Sequence, residues 1–161
     1  PHGQEAVMES NTSINQEAVR QAISIMERVN GGGYRFNMSF WSSRRTPGGR
    51  DVDIRLMDER SVHECGMAAC FGGWVALSPE WKAIGGSVII TGAPVLRGTV
   101  ENYYGADAIA KWLNIEPDLA ELLTCTGVGV DDEGRSNFYG GKKLIQIAPS
   151  EVIDKLNSLL H

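Results

Sequence analysis

The sequence predicts an α+β fold: one small domain with a buried central helix, surrounded by amphipathic helices and a small antiparallel sheet or hairpin. Three observations carry this expectation. The stretch from Gly66 to Leu77 has no charged or strongly polar side chain. At about a dozen residues it falls short of the roughly 20 needed to cross a bilayer, so protein must enclose it on every side. Apolar residues also recur at helical spacing near both ends of the chain, and they alternate with polar ones in two stretches between.

For the central stretch, periodicity alone cannot separate helix from strand. Ser61 followed by Glu64 fits a capping box, and Ala68, Ala69 and Ala76 are helix formers, with Val75 the one β-branched residue. Pro79 disfavours helical geometry at Ser78 and supplies the stop. These features predict a helix reaching from about Cys65 to Leu77. Gly72 and Gly73 oppose it, each costing about 1 kcal/mol relative to alanine. Close approach of a neighbouring element is the expected compensation.

The remaining elements follow in chain order. Residues 1–12 lack an apolar period and are expected to be a tail, its first residues a tag remnant and Met8 the native start; 13–161 is expected to be one globular domain. Ser13 and Gln16 offer a capping box for a helix carrying Val19, Ala22, Ile23, Met26 and Val29, closed by Gly31-Gly32-Gly33. Tyr34, Phe36, Met38 and Phe40 alternate with polar neighbours, as do Val52, Ile54 and Leu56. The pair predicts an antiparallel hairpin whose long polar tip is SSRRTPGGR. Ser78-Pro79-Glu80 begins a short helix that stops at Gly85-Gly86, and Val88 to Ile90 reads as a strand followed by a loop. Ala106 to Leu113 and Pro117 to Leu123 are two short helices. An acidic, glycine-rich loop runs from Thr126 to Arg135, with strands expected around Phe138 and Leu144 to Ile147. Pro149-Ser150-Glu151 opens a last helix with a stripe of Val152, Ile153, Leu156, Leu159 and Leu160.

Composition narrows the function classes. The 161 residues are 42% hydrophobic and 22% charged, ordinary for a soluble domain, and the net charge of −5 gives no general attraction to DNA or an anionic membrane. Three cysteines (Cys65, Cys70 and Cys125) form an odd set that suits a reducing, cytoplasmic compartment better than a disulfide framework.

Four constellations could carry chemistry. Cys65, placed near a helix start, is the candidate catalytic nucleophile of a cysteine-dependent enzyme, since helix N-termini lower thiol pKa. It lacks a well-placed imidazole: His63 is two residues away, His2 is in the tail and His161 is terminal. A small buried thiol is the commoner role. His63, Cys65, Cys70 and Cys125 offer the four soft ligands of a zinc site, but the spacing is unlike a knuckle, and Cys65 and Cys70 would stand about 140° apart on a helix. The stretch 106–123 has a helix-turn-helix cadence, yet six acidic groups and no Lys or Arg lie between Lys111 and Arg135. That segment would repel DNA and is better read as a helical hairpin packed on the core. Lastly, Arg44, Arg45 and Arg50 cluster on the hairpin tip, where guanidinium forks suit a phosphate or carboxylate, with Trp81, Tyr103 and Tyr104 as stacking faces. A solvated polar loop is the plainer alternative. No cofactor is implied by any of these motifs.

HECGMAACFGGWVAL resembles the H-x-CGT-x-AC-x-AGW core of small uncharacterised bacteriophage and prophage proteins, carried here by His63, Cys65, Gly66, Ala69, Cys70, Gly73 and Trp74. Phe36-Asn37-Met38 and Gly105 to Leu123 match the flanking features of that family, so the resemblance covers 34–124; Met67 and Gly72 depart from it. The resemblance implies a phage setting without a mechanism. Taken with the weakness of the catalytic constellations, the phage-like core leads to the expectation of a non-enzymatic accessory protein, of the counter-defence kind. It would act in the host cytoplasm by binding a host protein or sequestering a small anionic or nucleotide ligand. A cysteine-dependent enzyme or a zinc-binding domain is the alternative.

Overall fold

The computed structural model describes residues 13–38, 41, 43–45, 51–53, 67–89, 92–124 and 132–161. Its elements are helix α1 (Gln16–Gly31), strands β1 (Arg35–Phe36), β2 (Ser43–Arg45), β3 (Asp51–Asp53) and β4 (Met67–Ala69), helices α2 (Phe71–Leu77) and α3 (Pro79–Ala83), strands β5 (Ser87–Val88), β6 (Pro94–Leu96) and β7 (Tyr103–Tyr104), helices α4 (Ala106–Leu113), α5 (Pro117–Leu123) and α6 (Asp132–Phe138), a 3₁₀ turn (Leu144–Gln146), and helix α7 (Pro149–Asn157). An α+β domain results, with helices around two small sheets.

Helix α1 buries the predicted stripe together with Ala18 and Ile25, and it packs along α7, α2 and α4. Its N-cap is Asn15, two residues after the expected Ser13: the Asn15 side chain accepts from the Ala18 N–H at 3.1 Å, and its own amide donates to the Trp112 carbonyl. Gln16, expected to complete a capping box, instead donates to the Leu159 carbonyl and accepts from the His161 N–H, both at 3.1 Å. A side chain at the start of α1 therefore holds the end of the chain. In α7, Val152 and Leu156 are buried and Ile153 packs partly covered against the same core; the helix stops at Asn157, so Leu159 and Leu160, expected on its stripe, pack there from beyond its end.

The central helix exists but is shorter than expected. All seven residues of α2 are buried; Met67–Ala69 ahead of it are strand, and Cys70 is its N-cap. The alanines that favour helix in isolation are overruled here by pairing, because β4 is an interior strand, bonded on both sides, of a sheet ordered β1-β4-β2-β3. Phe36 pairs in parallel with Ala69, and Ser43 pairs antiparallel with Ala68. The expected compensation for the glycines is present. An added Cβ on Gly72 would lie 3.1 Å from Trp41 Cε3, and one on Gly73 would lie 2.9 Å from the Trp41 carbonyl carbon and 2.8 Å from Ala69 Cβ. Trp41 also reaches Gly105, where an added Cβ would sit 3.3 Å from its ring. The two glycines thus give the α2 surface room to receive the Trp41 backbone and indole.

The stop at Ser78 works as predicted, and the residue acts on both sides of the break. Its ψ of 152° is extended, its hydroxyl donates to the Val75 carbonyl at 2.7 Å, and the same oxygen accepts from the Trp81 N–H at 3.2 Å to cap α3. The expected hairpin is corrected. β3 pairs with β2 rather than with the Tyr34–Phe40 stretch, so the upstream strand of the hairpin lies inside the segment read as its loop. The alternation also fails at Asn37, which is buried and donates its N–H to the Ala69 carbonyl at 3.1 Å. Ile54 and Leu56 lie outside the described residues.

A second sheet, β5-β6-β7, is antiparallel. Of the expected strand at Val88 to Ile90, Val88 is in β5, Ile89 lies beyond its end, and Ile90 is outside the described residues. The loop expected after it supplies β6, and β7 was not anticipated at all. The segments expected as strands at Phe138 and Leu144 to Ile147 are helical, and part of the acidic loop is α6. On α6, Arg135 is buried and donates to the carbonyls of Met38 (3.0 Å) and Thr124 (3.2 Å). Its guanidinium thereby ties α6 to the main chain of two other segments, although Glu133 beside it is exposed. No helix among the described residues is long and apolar enough to cross a membrane.

Candidate functional site

Helix α4 ends as the sequence requires for a tight change of direction. Asn114 occupies the left-handed region (φ 56°, ψ 54°), and its N–H closes back on the Ala110 carbonyl. Its side-chain amide donates to the Ser13 carbonyl. From there Pro117, at the first position of α5, starts the return helix. At the other end, Gly105 adopts a positive φ of 61° between β7 and α4, and its N–H donates to the Pro94 carbonyl at 2.8 Å. These two turns set β7 along the exposed side of α4 and leave an open cleft of about 590 Å³ between them.

Tyr103 and Tyr104 form one wall of the cleft, with Glu101 and Asn102 leading into them. Asp107, Ala110, Lys111 and Asn114 come from successive turns of α4, and Ile115 and Pro117 close the far end. The spacing of Asp107, Lys111 and Asn114 places them on one helical face, and the opposite face of α4 buries Ala108, Ile109, Trp112 and Leu113. The Lys111 ammonium lies over the Tyr103 ring, 5.5 Å from its centroid. Tyr104 is 53% exposed, so its ring is open to a ligand. Among the described residues of the lining, Glu101 and Asp107 against Lys111 leave one negative charge in excess. One N–H of the Asn114 amide is engaged by Ser13, which leaves its second N–H and its carbonyl oxygen as the groups it can offer. The volume is within the ordinary range for small-molecule sites. Aromatic stacking, one cation and several acceptors are what the site can apply to a ligand.

The residues proposed from sequence are distributed differently from the expectation. Tyr103 and Tyr104 do share a site, as neighbours on β7. Trp81 does not join them. It is fully buried, donates its indole N–H to the Ser87 carbonyl at 2.9 Å, and stands edge-on to Trp112 at 5.3 Å, so it has no face for a ligand. Arg44 and Arg45 are on β2, in the other sheet, and Arg50 lies outside the described residues. Cys70 is buried at the junction of β4 and α2. Cys65, His63 and Cys125 lie outside the described residues, but the helix expected to start near Cys65 begins at Phe71, which removes the reason for a helix-lowered thiol pKa there. Sequence reasoning missed Asp107, Lys111 and Asn114. Their i, i+4, i+7 spacing on the polar face of a correctly bounded helix is the signal that would have found them.

Elsewhere the titrating groups have structural explanations. Tyr139 is buried, and burial, reinforced by the charges of Cys70 and Glu151 and opposed by Arg135, raises its pKa well above the phenolic range. Glu80 is held below its ordinary value of 4.5, chiefly by the Arg28 guanidinium, whose two nitrogens meet its carboxylate at 2.6 and 2.9 Å.

The chain matches no protein-family model, no curated protein and no solved structure.

Proposed function

We propose that this protein is a non-enzymatic binding protein that captures a small nucleotide-type ligand in the cleft between β7 and α4. The observation that carries the reading is the convergence of Tyr103, Tyr104 and Lys111 with acceptor groups around a cleft of about 590 Å³. Stacking on tyrosine suits a nucleobase, the ammonium suits a phosphate, and Asp107 and Glu101 suit ribose hydroxyls. The motif resemblance in the middle of the chain supports a phage origin, and sequestering a ligand in the host cytoplasm is the accessory, counter-defence role that fits both.

A thermal-shift screen against nucleosides and nucleotides tests the reading. A ligand present at about a hundred times its Kd stabilises the folded state by about 2.7 kcal/mol, which raises the melting temperature by roughly 5–10 °C in a domain of this size. Tyr104→Ala should remove stacking worth about 1–3 kcal/mol and weaken that ligand roughly tenfold or more. If no nucleoside or nucleotide shifts the transition, small-ligand capture is refuted, and occupation of a host protein becomes the reading to pursue by pull-down from host lysate.

A further inference from the structure

The charges around the cleft restrict which nucleotide it can hold. Among the described residues, Lys111 is the one cationic side chain lining it, whereas Glu101 and Asp107 supply two carboxylates, and Asn114 has one of its two amide N–H groups committed to Ser13. From these residues a ligand meets two carboxylates and a single ammonium, beside neutral amide and hydroxyl groups. Donor groups on the ligand, such as ribose hydroxyls and an exocyclic amine, are favoured, and one phosphate can be balanced. Each further negative charge would face a carboxylate with no second cation from the lining to offset it. The position of Lys111 reinforces this limit. Its ammonium sits over the Tyr103 ring, 5.5 Å from the centroid, so it reaches a phosphate at the edge of a stacked nucleoside rather than at the end of a long polyphosphate.

Building on the proposed capture of a nucleotide, we infer that the cleft selects a nucleoside monophosphate and discriminates against the di- and triphosphate, with Lys111 as the phosphate contact and Asp107 and Glu101 as the groups that reject added charge.

Isothermal titration of the full chain with adenosine, AMP, ADP and ATP at fixed ionic strength reads this directly. The expected order is AMP tightest, adenosine weaker, and ADP and ATP weakened about three- to tenfold for each added charge, an effect that shrinks as salt rises. Lys111→Gln should weaken AMP about three- to tenfold more than it weakens adenosine, so that the two approach each other. Asp107→Asn should narrow the gap between AMP and ATP. Both positions are exposed, and circular dichroism melts establish that the variants fold. ATP binding as tightly as AMP, or Lys111→Gln weakening adenosine and AMP equally, overturns the charge limit while leaving nucleotide capture standing. Binding of none of the four overturns the capture reading itself.

Discussion

Replacing Gly73 by alanine sets two physical effects of opposite sign against each other. In an open helix the change would stabilise by about 1 kcal/mol, because alanine loses less backbone entropy. On α2, however, the new methyl would stand 2.8 Å from Ala69 Cβ and 2.9 Å from the Trp41 carbonyl carbon, with the Trp41 oxygen closer still. Carbon pairs are at their optimum near 3.5–4.0 Å, so one side must move by roughly 0.7 Å or more. Neither neighbour is the far end of a flexible side chain: Ala69 is fixed in β4 and the Trp41 contact is main chain. Overpacking of this kind costs about 1–3 kcal/mol, and with contacts this short on fixed neighbours the upper half of that range applies, about 2–3 kcal/mol, which against a gain of about 1 predicts a net loss of roughly 1–2 kcal/mol. Urea denaturation followed by far-UV circular dichroism measures it, with Gly31→Ala as the control. Gly31 closes α1 with nothing within 4 Å of an added Cβ. The control should be neutral or slightly stabilising. A Gly73→Ala variant as stable as the Gly31→Ala control would show that Trp41 does not pack on α2 as described.

Two further expectations concern titrating groups. The Tyr139 hydroxyl is buried and makes no hydrogen bond among the described residues. Tyr139→Phe should therefore keep the ring packing against Phe138 and stabilise by about 1 kcal/mol, since an unmade buried hydrogen bond costs about 1–3. The folded pKa of Tyr139 lies above its unfolded value near 10, so the cost of the buried hydroxyl is constant below that pH. Above it the unfolded tyrosine ionises while the folded one stays protonated, so wild-type stability should fall more steeply above pH 10 than that of the variant. A destabilised Tyr139→Phe at neutral pH would mean that the hydroxyl has a partner. For Glu80 the sign is reversed. Its depressed folded pKa gives a contribution present above its ordinary value of 4.5 and lost as pH falls through the folded value. The pair is largely exposed to screening, so Glu80→Gln should cost no more than about 1 kcal/mol at pH 7 and nothing in strong acid, as a pH series of denaturation midpoints would reveal.

Local chemistry made a good part of this protein legible. The apolar face of α1, the Ser78-Pro79 break, the boundaries of α4 and α5, the start of α7 at Pro149 and the need for something to approach Gly72-Gly73 all follow from side chains within a few residues of one another. Capping, proline stops and helical periodicity act over one turn of chain, and so they survive whatever the rest of the molecule does. What tertiary structure alone decided were the choices in which a distant partner outweighs a local preference. Met67–Ala69 became strand because β1 and β2 bond to both sides of it, against the helix propensity of its alanines. Arg135 was drawn out of an acidic stretch by two main-chain carbonyls, one of them 97 positions away in sequence. Pairing of this kind depends on chain closure over long loops, and no short window of sequence carries that information. The cleft is more local: Tyr103 and Lys111 lie on consecutive elements, and what brings them together is the pairing of β7 with β6, which lays that edge along α4.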